Sequence, residues 1–301
     1  MSNGIYVEIP IKASIDKLWK YTQSPEIHQQ WDLRFTKIDY IPKKSENDPQ
    51  HFLYTTQIGF GLKVSGKGES TGTHHKSNTE FTSALKFWSD DPASLIKAGS
   101  GYWKYIPNKD STKFLTWYDY EVRFGKVGMI FDKLVFRPII GWATAWSFDC
   151  LKIWLEKGID PSVSKRGLLN QIIICTVLSI VWIYQGLIPK ILYPDTGEIE
   201  ILRSSGLFNG AEESVILFIG FLEIIFGVLF LLKFNYNKLH YINVILLLTL
   251  SVGALFSKPT IFLAPFNPFT LSLSMISLSV ISLINNSTLP NANNCLRKPI
   301  A

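Results

Sequence analysis

The sequence predicts two parts of different class: a soluble α+β half, followed by an all-α bundle of four transmembrane helices. Charge falls away after Arg166. Residues 1–166 hold 23 of the 30 Lys and Arg and 18 of the 24 Asp and Glu, which leaves 30 − 23 = 7 and 24 − 18 = 6 for the rest of the chain. Ahead of that step the apolar residues alternate with period two, as in strands, and behind it come four long apolar runs.

The run Ile5 to Lys12 is rich in β-branched residues and reads as a strand. Ser14 can cap a short helix carrying Ile15, Leu18, Trp19 and Tyr21, with Asp16 at its positive end. Pro25 suits the first turn of a second helix that ends near Trp31 and Asp32. From Arg34 to Phe124 the period becomes two, predicting a meander with strands at 34–42, 51–60, 62–75, 79–89, 99–107 and 112–124. In the last strand Phe114, Thr116, Tyr118, Tyr120, Val122 and Phe124 share one face, and Leu115, Trp117, Asp119, Glu121 and Arg123 the other. The turn residues of 47–49 and 107–110 separate strands, and Gly59, Gly61, Gly66, Gly68 and Gly72 suit bends where a sheet curls. After Gly125 the pattern is helical to about Leu155, with a kink expected at Arg137 and Pro138 and an apolar stripe through Leu134, Pro138, Trp142, Ala145, Trp146, Asp149 and Ile153.

This order resembles the helix-grip fold of the START-like, or SRPBCC, superfamily over about residues 3–158. The stretches 87–92, 101–105, 116–120, 136–138 and 142–149 carry the resemblance and look like the SRPBCC part of proteins fused to a DoxX-like membrane domain. The resemblance implies a cavity between sheet and long helix. Members bind lipids, hormones or polyketides, and some are cyclases or hydratases.

The second half reads as spans at about 168–188, 214–232, 241–257 and 266–284, each about long enough to cross a hydrocarbon core of roughly 30 Å. Lys165, Arg166, Lys233, Lys238, Arg297 and Lys298 fall on one side of such a bundle, which the positive-inside rule assigns to the cytoplasm together with both termini. Met1 to Lys20 carries no apolar signal-peptide core, which agrees with a cytoplasmic N-terminal half. The expected layout is a soluble domain at 1–164, a membrane domain at 165–288 and a cytoplasmic tail at 289–301. The segment Trp182 to Lys190, Glu223 followed by Gly227, and Asn267 with Pro268 resemble the DoxX-like family over about 167–286. Relatives in that family are linked to thiosulfate:quinone oxidoreduction and to oxidative-stress complexes.

Glu223 sits mid-span, where an ionisable group costs about 2.5–3.5 kcal/mol on insertion scales and needs a partner or a cavity. Trp182 and Gln185 are its candidate partners, and Lys190 is a candidate for steering an anionic ligand. In the soluble half Trp88, Trp103, Tyr105, Trp117, Tyr118 and Tyr120 are candidates to line a pocket, against ordinary core packing. Asp149, also a candidate of the soluble cavity, lies on the apolar stripe and needs a partner such as Arg123 or Arg137, which favours a structural ion pair over a catalytic acid. Glu69 and His75 share a strand face that excludes His74, the pattern of a cavity base or, more commonly, of a solvated edge.

Cys150, Cys175 and Cys295 lie far apart, and no metal-ligand spacing, nucleotide loop or hydrolase motif occurs, so no metal or cofactor is evident. Nothing interleaves basic and aromatic residues as nucleic-acid binding requires. The reading is a membrane-anchored protein that binds a hydrophobic small molecule or lipid. The alternatives are a DoxX-like oxidoreductase subunit with quinone and a redox partner protein, or a non-enzymatic assembly platform. The residues assign no reaction.

Overall fold

The computed structural model describes residues 4–46, 48–59, 61–76 and 80–299, with only the backbone at 58, 59, 73–76 and 196. The chain forms two compact units, Met1–Ser164 with Pro290–Ala301, and Lys165–Leu289. The first is α+β, and the second holds four helices long and apolar enough to cross a membrane.

In the first unit seven strands form one antiparallel sheet in the order β1-β7-β6-β5-β4-β3-β2. They are β1 (Ile5–Ile11), β2 (Lys37–Tyr40), β3 (His51–Gly59), β4 (Leu62–Lys76), β5 (Glu80–Trp88), β6 (Ile96–Asn108) and β7 (Ser111–Val122). Two short helices, α1 (Ile15–Gln23) and α2 (Pro25–Trp31), separate β1 from the meander. Ser14 caps α1 through its side chain, and Pro25 opens α2. A short α3 (Gly125–Phe131) and the long α4 (Arg137–Lys157) follow the sheet, and α4 packs across it. Strand order and long helix together make this a helix-grip fold.

Register fixes which side chains face α4. Ile5, Val7 and Ile9 pair with Tyr118, Thr116 and Phe114, and all six are buried. Phe114 stacks on Phe148 of α4 with centroids 4.4 Å apart, and Tyr118 Oη lies 2.8 Å from Thr144 Oγ1. Such aromatic pairs add about 0.5–1.5 kcal/mol beyond area burial. Glycines on the same face make room for rings from the next strand: a Cβ on Gly68 would strike Phe52, and one on Gly66 would strike Tyr54.

Just before Pro138, where a kink is expected, the helix carries a π-turn, Asp132–Phe136, closed by Arg137 N–H donating to Asp132 O. The wider turn accommodates a proline that has no amide hydrogen to give. The expected tail at 289–301 forms part of the first unit from Pro290 onward, and residues 291–297 pack on β1 and α4. Glu8 and Leu296 exchange backbone hydrogen bonds of 2.9 Å, and Cys295 Sγ lies 3.2 Å from Ala145 O.

The second unit contains α5 (Pro161–Gly186) from Lys165 onward, continued by a π-turn at Leu187–Leu192, then α6 (Glu198–Ser204), α7 (Glu212–Leu232), α8 (Asn237–Ser257) and α9 (Pro268–Asn286). Its surface is apolar, with Phe218, Phe221, Ile225, Ile245 and Ile281 exposed, while Gln171, His240, Asn243, Ser279 and Ser282 are buried. That inside-out distribution suits a lipid surround.

Candidate functional site

The concave side of the grip is organised around one buried carboxylate. Asp32 follows α2 and is fully buried, a position that costs several kcal/mol for an unpaired carboxylate. Arg34 turns back onto it through Nε–Oδ1 at 2.9 Å and Nη2–Oδ2 at 2.6 Å, and His28, one helical turn earlier, brings Nε2 to 2.9 Å. Burial alone would raise the Asp32 pKa, but Arg34 and His28 outweigh it and hold the carboxyl well below the usual carboxylate range.

Aromatic rings surround the guanidinium. It lies 5.4 Å from the Phe35 centroid and 5.5 Å from that of Tyr118. The arc extends on one side to Tyr54, 5.6 Å from Phe35, and on the other through Tyr120 to Phe136. Arg34, Phe35, Tyr54, Phe87 and Phe136, which belong to this arc or, for Phe87, to its sheet face, are only half-buried, so this end of the grip is partly exposed to solvent. The other end is filled: Trp31, Trp103, Phe114 and Phe148 pack ring against ring, and Tyr105 Oη bonds Thr22 Oγ1 at 2.7 Å and accepts from Gln23 Nε2 at 3.0 Å.

The six aromatic candidates therefore separate. Tyr118 and Tyr120 belong to the arc around Arg34 but are themselves buried, and Trp103 and Tyr105 pack at the filled end. Trp88 and Trp117 need correcting. Phe87 and Tyr120 share the concave row through Gly99, so Trp88, one residue on, faces the opposite side, as does Trp117, which stacks on Tyr102.

Asp149 is also placed differently from expectation. It accepts from Asn291 N at 2.7 Å and Asn294 Nδ2 at 2.9 Å, clamping the C-terminal segment to α4. Burial raises its pKa despite those donors. The arginines proposed as its partners go elsewhere: Arg123 donates to the carbonyls of Ser89 and Asp91, and Arg137 to Asp132 and Asp119 at 2.8 and 2.9 Å. Glu69 lies 4.0 Å from both His51 and Lys86, on an accessible part of the sheet. The side chains of His74 and His75 lie outside the described residues.

In the membrane unit the structure brings Gln185, Lys190 and Glu223 together. Lys190 Nζ is 3.1 Å from Glu223 Oε2, 3.1 Å from Glu198 Oε1 and 3.3 Å from the carbonyl of Gln185. Gly186 and Gly220 let α5 and α7 approach this closely, since a Cβ on Gly220 would lie 2.8 Å from Gly186 O. Beside this cluster is a hollow of about 560 Å³ lined by Tyr184, Gln185, Ile188, Glu198, Glu200 and Lys258. Trp182 belongs to a separate network, donating to Asn243 Oδ1 at 2.7 Å, with Asn243 donating to Ser279 Oγ at 2.8 Å. His240 and Gln171 meet at Ser282, at 2.8 and 2.7 Å.

Sequence reasoning missed His28, Asp32 and Arg34, although an i, i+4 His–Asp pair followed by Arg was a usable signal. It also missed Gln171 and the pairs His240/Asn243 and Ser279/Ser282, whose three-residue spacing places polar groups on one face of α8 and of α9.

Comparison with known proteins agrees with this division. Residues 179–280 match the DoxX-like family. Over 183 residues the chain is 48% identical to the membrane protein YndG of Bacillus subtilis, an alignment covering 60% of this chain and 68% of that one. The chain belongs to the family of YndG. It is a membrane protein with a DoxX-like domain in its C-terminal part. Among solved structures, the protein jhp0584 of Helicobacter pylori is 14% identical with a TM-score of 0.41, covering 51% of this chain and 88% of that one. A STAR-related lipid transfer protein of Xanthomonas axonopodis is 14% identical with a TM-score of 0.39, covering 50% and 85%. The di-domain ARO/CYC StfQ of steffimycin biosynthesis is 10% identical with a TM-score of 0.38, and the chain spans about half its length, 52% of each being covered. Likenesses this distant add nothing to the strand order, which carries the fold assignment by itself.

Proposed function

We propose that this protein is a membrane-anchored binding protein whose helix-grip unit, on the cytoplasmic side, takes up a hydrophobic small molecule or lipid. The supporting observation is the partly exposed aromatic arc around Arg34, which is itself paired to the buried Asp32. An apolar lining with a few convergent polar groups is the general composition of small-molecule sites. Because Asp32 already neutralises Arg34, the site suits a neutral polar head, a carbonyl or hydroxyl, better than a carboxylate. Native mass spectrometry of the full-length protein in mild detergent tests this. A hydrophobic molecule should travel with the wild type and be lost when Tyr54→Ala and Tyr118→Ala are combined. Equal retention by both proteins would remove the site from consideration.

A second reading places the ligand in the membrane unit, and the hollow beside Lys190 and Glu223 favours it. There a quinone would be held beside Tyr184 and Gln185, with electrons supplied by a separate redox protein. Quinone retained by the wild type and lost on Gln185→Leu, with the grip substitutions without effect, would select this reading over the first.

A further inference from the structure

The segment that joins sheet to grip helix is amphipathic in the reverse sense. Val127, Ile130, Phe131 and Leu134 recur at three- and four-residue steps through α3 and the π-turn, with Ile139 following in the first turn of α4, and all are exposed, Val127 by 76% and Leu134 by 69%. Phe124, Met129 and Val135 widen the exposed apolar face. The inward positions are small or polar: Gly128 and Asp132.

The fold fixes this setting. Asp132 accepts from Tyr120 Oη at 2.7 Å and from Arg137 Nε at 2.8 Å, which ties the polar edge of the segment to the sheet. At the other end Phe124, a non-glycine residue, holds a left-handed φ of 67° before Gly125. A rotation that buried the apolar stripe would break the Asp132 contacts, so these residues are held outward. Exposed apolar faces of this kind on soluble units mark a surface that another phase or molecule covers.

We infer that the face formed by residues 124–139 inserts into the headgroup region of the bilayer and has anionic lipid as its partner. The first unit is tethered to the bilayer at the other end of α4, where only residues 158–160 separate that helix from the one that carries the first span. Charge agrees with this occupant. Lys126 and Lys133 are exposed on the segment, and its one acid, Asp132, is buried. Apolar side chains entering the acyl boundary with flanking lysines reaching to phosphate is the arrangement of interfacial helices. A second copy fits less well, since two such faces would bring four lysines together with no acid between them. The inference holds whether or not the grip binds a molecule.

The test uses the full-length protein in nanodiscs containing phosphatidylglycerol. Environment-sensitive fluorophores are attached at Val127→Cys, at Ile130→Cys and, as a control on an exposed turn, at Lys109→Cys; the three native cysteines are buried. Quenching by acyl-chain spin-labelled lipid should be several-fold stronger at 127 and 130 than at 109, with aqueous iodide giving the opposite order. Lys126→Glu with Lys133→Glu should reduce the lipid quenching. Iodide access at 127 and 130 equal to that at 109, or protection by self-association without lipid quenching, would overturn the inference.

Discussion

At the scale of single residues, Arg34 and Asp32 show how a charge pair can define a site while contributing little net stability. Removing one partner leaves the other buried and uncompensated, so Arg34→Met should destabilise the first unit by about 3–5 kcal/mol. Adding Asp32→Asn should recover part of that loss, and a double-mutant cycle on thermal unfolding in detergent measures the coupling. Strictly additive losses would show that the pair is not energetically joined. The pH dependence follows from the depressed Asp32 pKa. The folded state holds this carboxylate ionised below the unfolded pKa of about 3.9, so its stabilisation is present above that pH and is lost as pH falls below it. The acid limb of the stability profile should therefore be shallower in Asp32→Asn than in wild type. This pair was invisible to periodicity because its members sit at a helix end and in a loop. Glu223 was visible because a charge inside an apolar run has no ordinary explanation.

At the scale of elements, proline and glycine decide where helices widen and how closely they meet. Pro138 follows one π-turn and Pro189 lies inside another, where Tyr193 N–H reaches back to Ile188 O at 2.9 Å. The sequence signals a proline interruption but not whether the helix bends or widens, because that depends on what the turn must aim inward. At 132 it aims a carboxylate at Tyr120. On α7, Gly220, Glu223 and Gly227 share the face turned to α5, and both glycines meet α5 backbone. Gly220→Leu should separate the helices, lowering the unfolding midpoint in detergent by an amount worth about 1–3 kcal/mol. Gly253→Leu is the matched control, since nothing lies within 4 Å of a Cβ there, and a similar loss in both variants would deny the close approach its importance. Strand existence and facing were legible from alternation. The start of β6 at Ile96 was not, because a register shift between Ile96 and Ala98 breaks the period there.

At the scale of the whole molecule, the two ends of the chain constrain its path through the membrane. Glu8 of the first strand and Leu296 near the C-terminus share a pair of backbone hydrogen bonds, and Asp149 holds Asn291 and Asn294 close by. Those contacts fit a path in which the segments before and after Lys165–Leu289 lie on the same side of a bilayer, as an even number of crossings by the four apolar helices would give. The tail could not be read as part of the first unit from sequence, because its anchor is a main-chain bridge and an Asx-rich turn rather than an apolar run. Asp149→Ala should release it at a cost of about 1.5–3 kcal/mol, the scale of hydrogen bonds to a charged group, and hydrogen exchange at the Glu8 amide should accelerate. Unchanged exchange at Glu8 would mean that the bridge stands without the clamp. Which side this is follows from the basic residues flanking the spans, which predict the cytoplasm. A membrane-impermeant maleimide applied to intact cells should then label Asn209→Cys, between the first two spans, and reach Lys109→Cys only after permeabilisation. The reverse order would invert the protein in the membrane, and labelling of both sites in intact cells would defeat the four-crossing path itself.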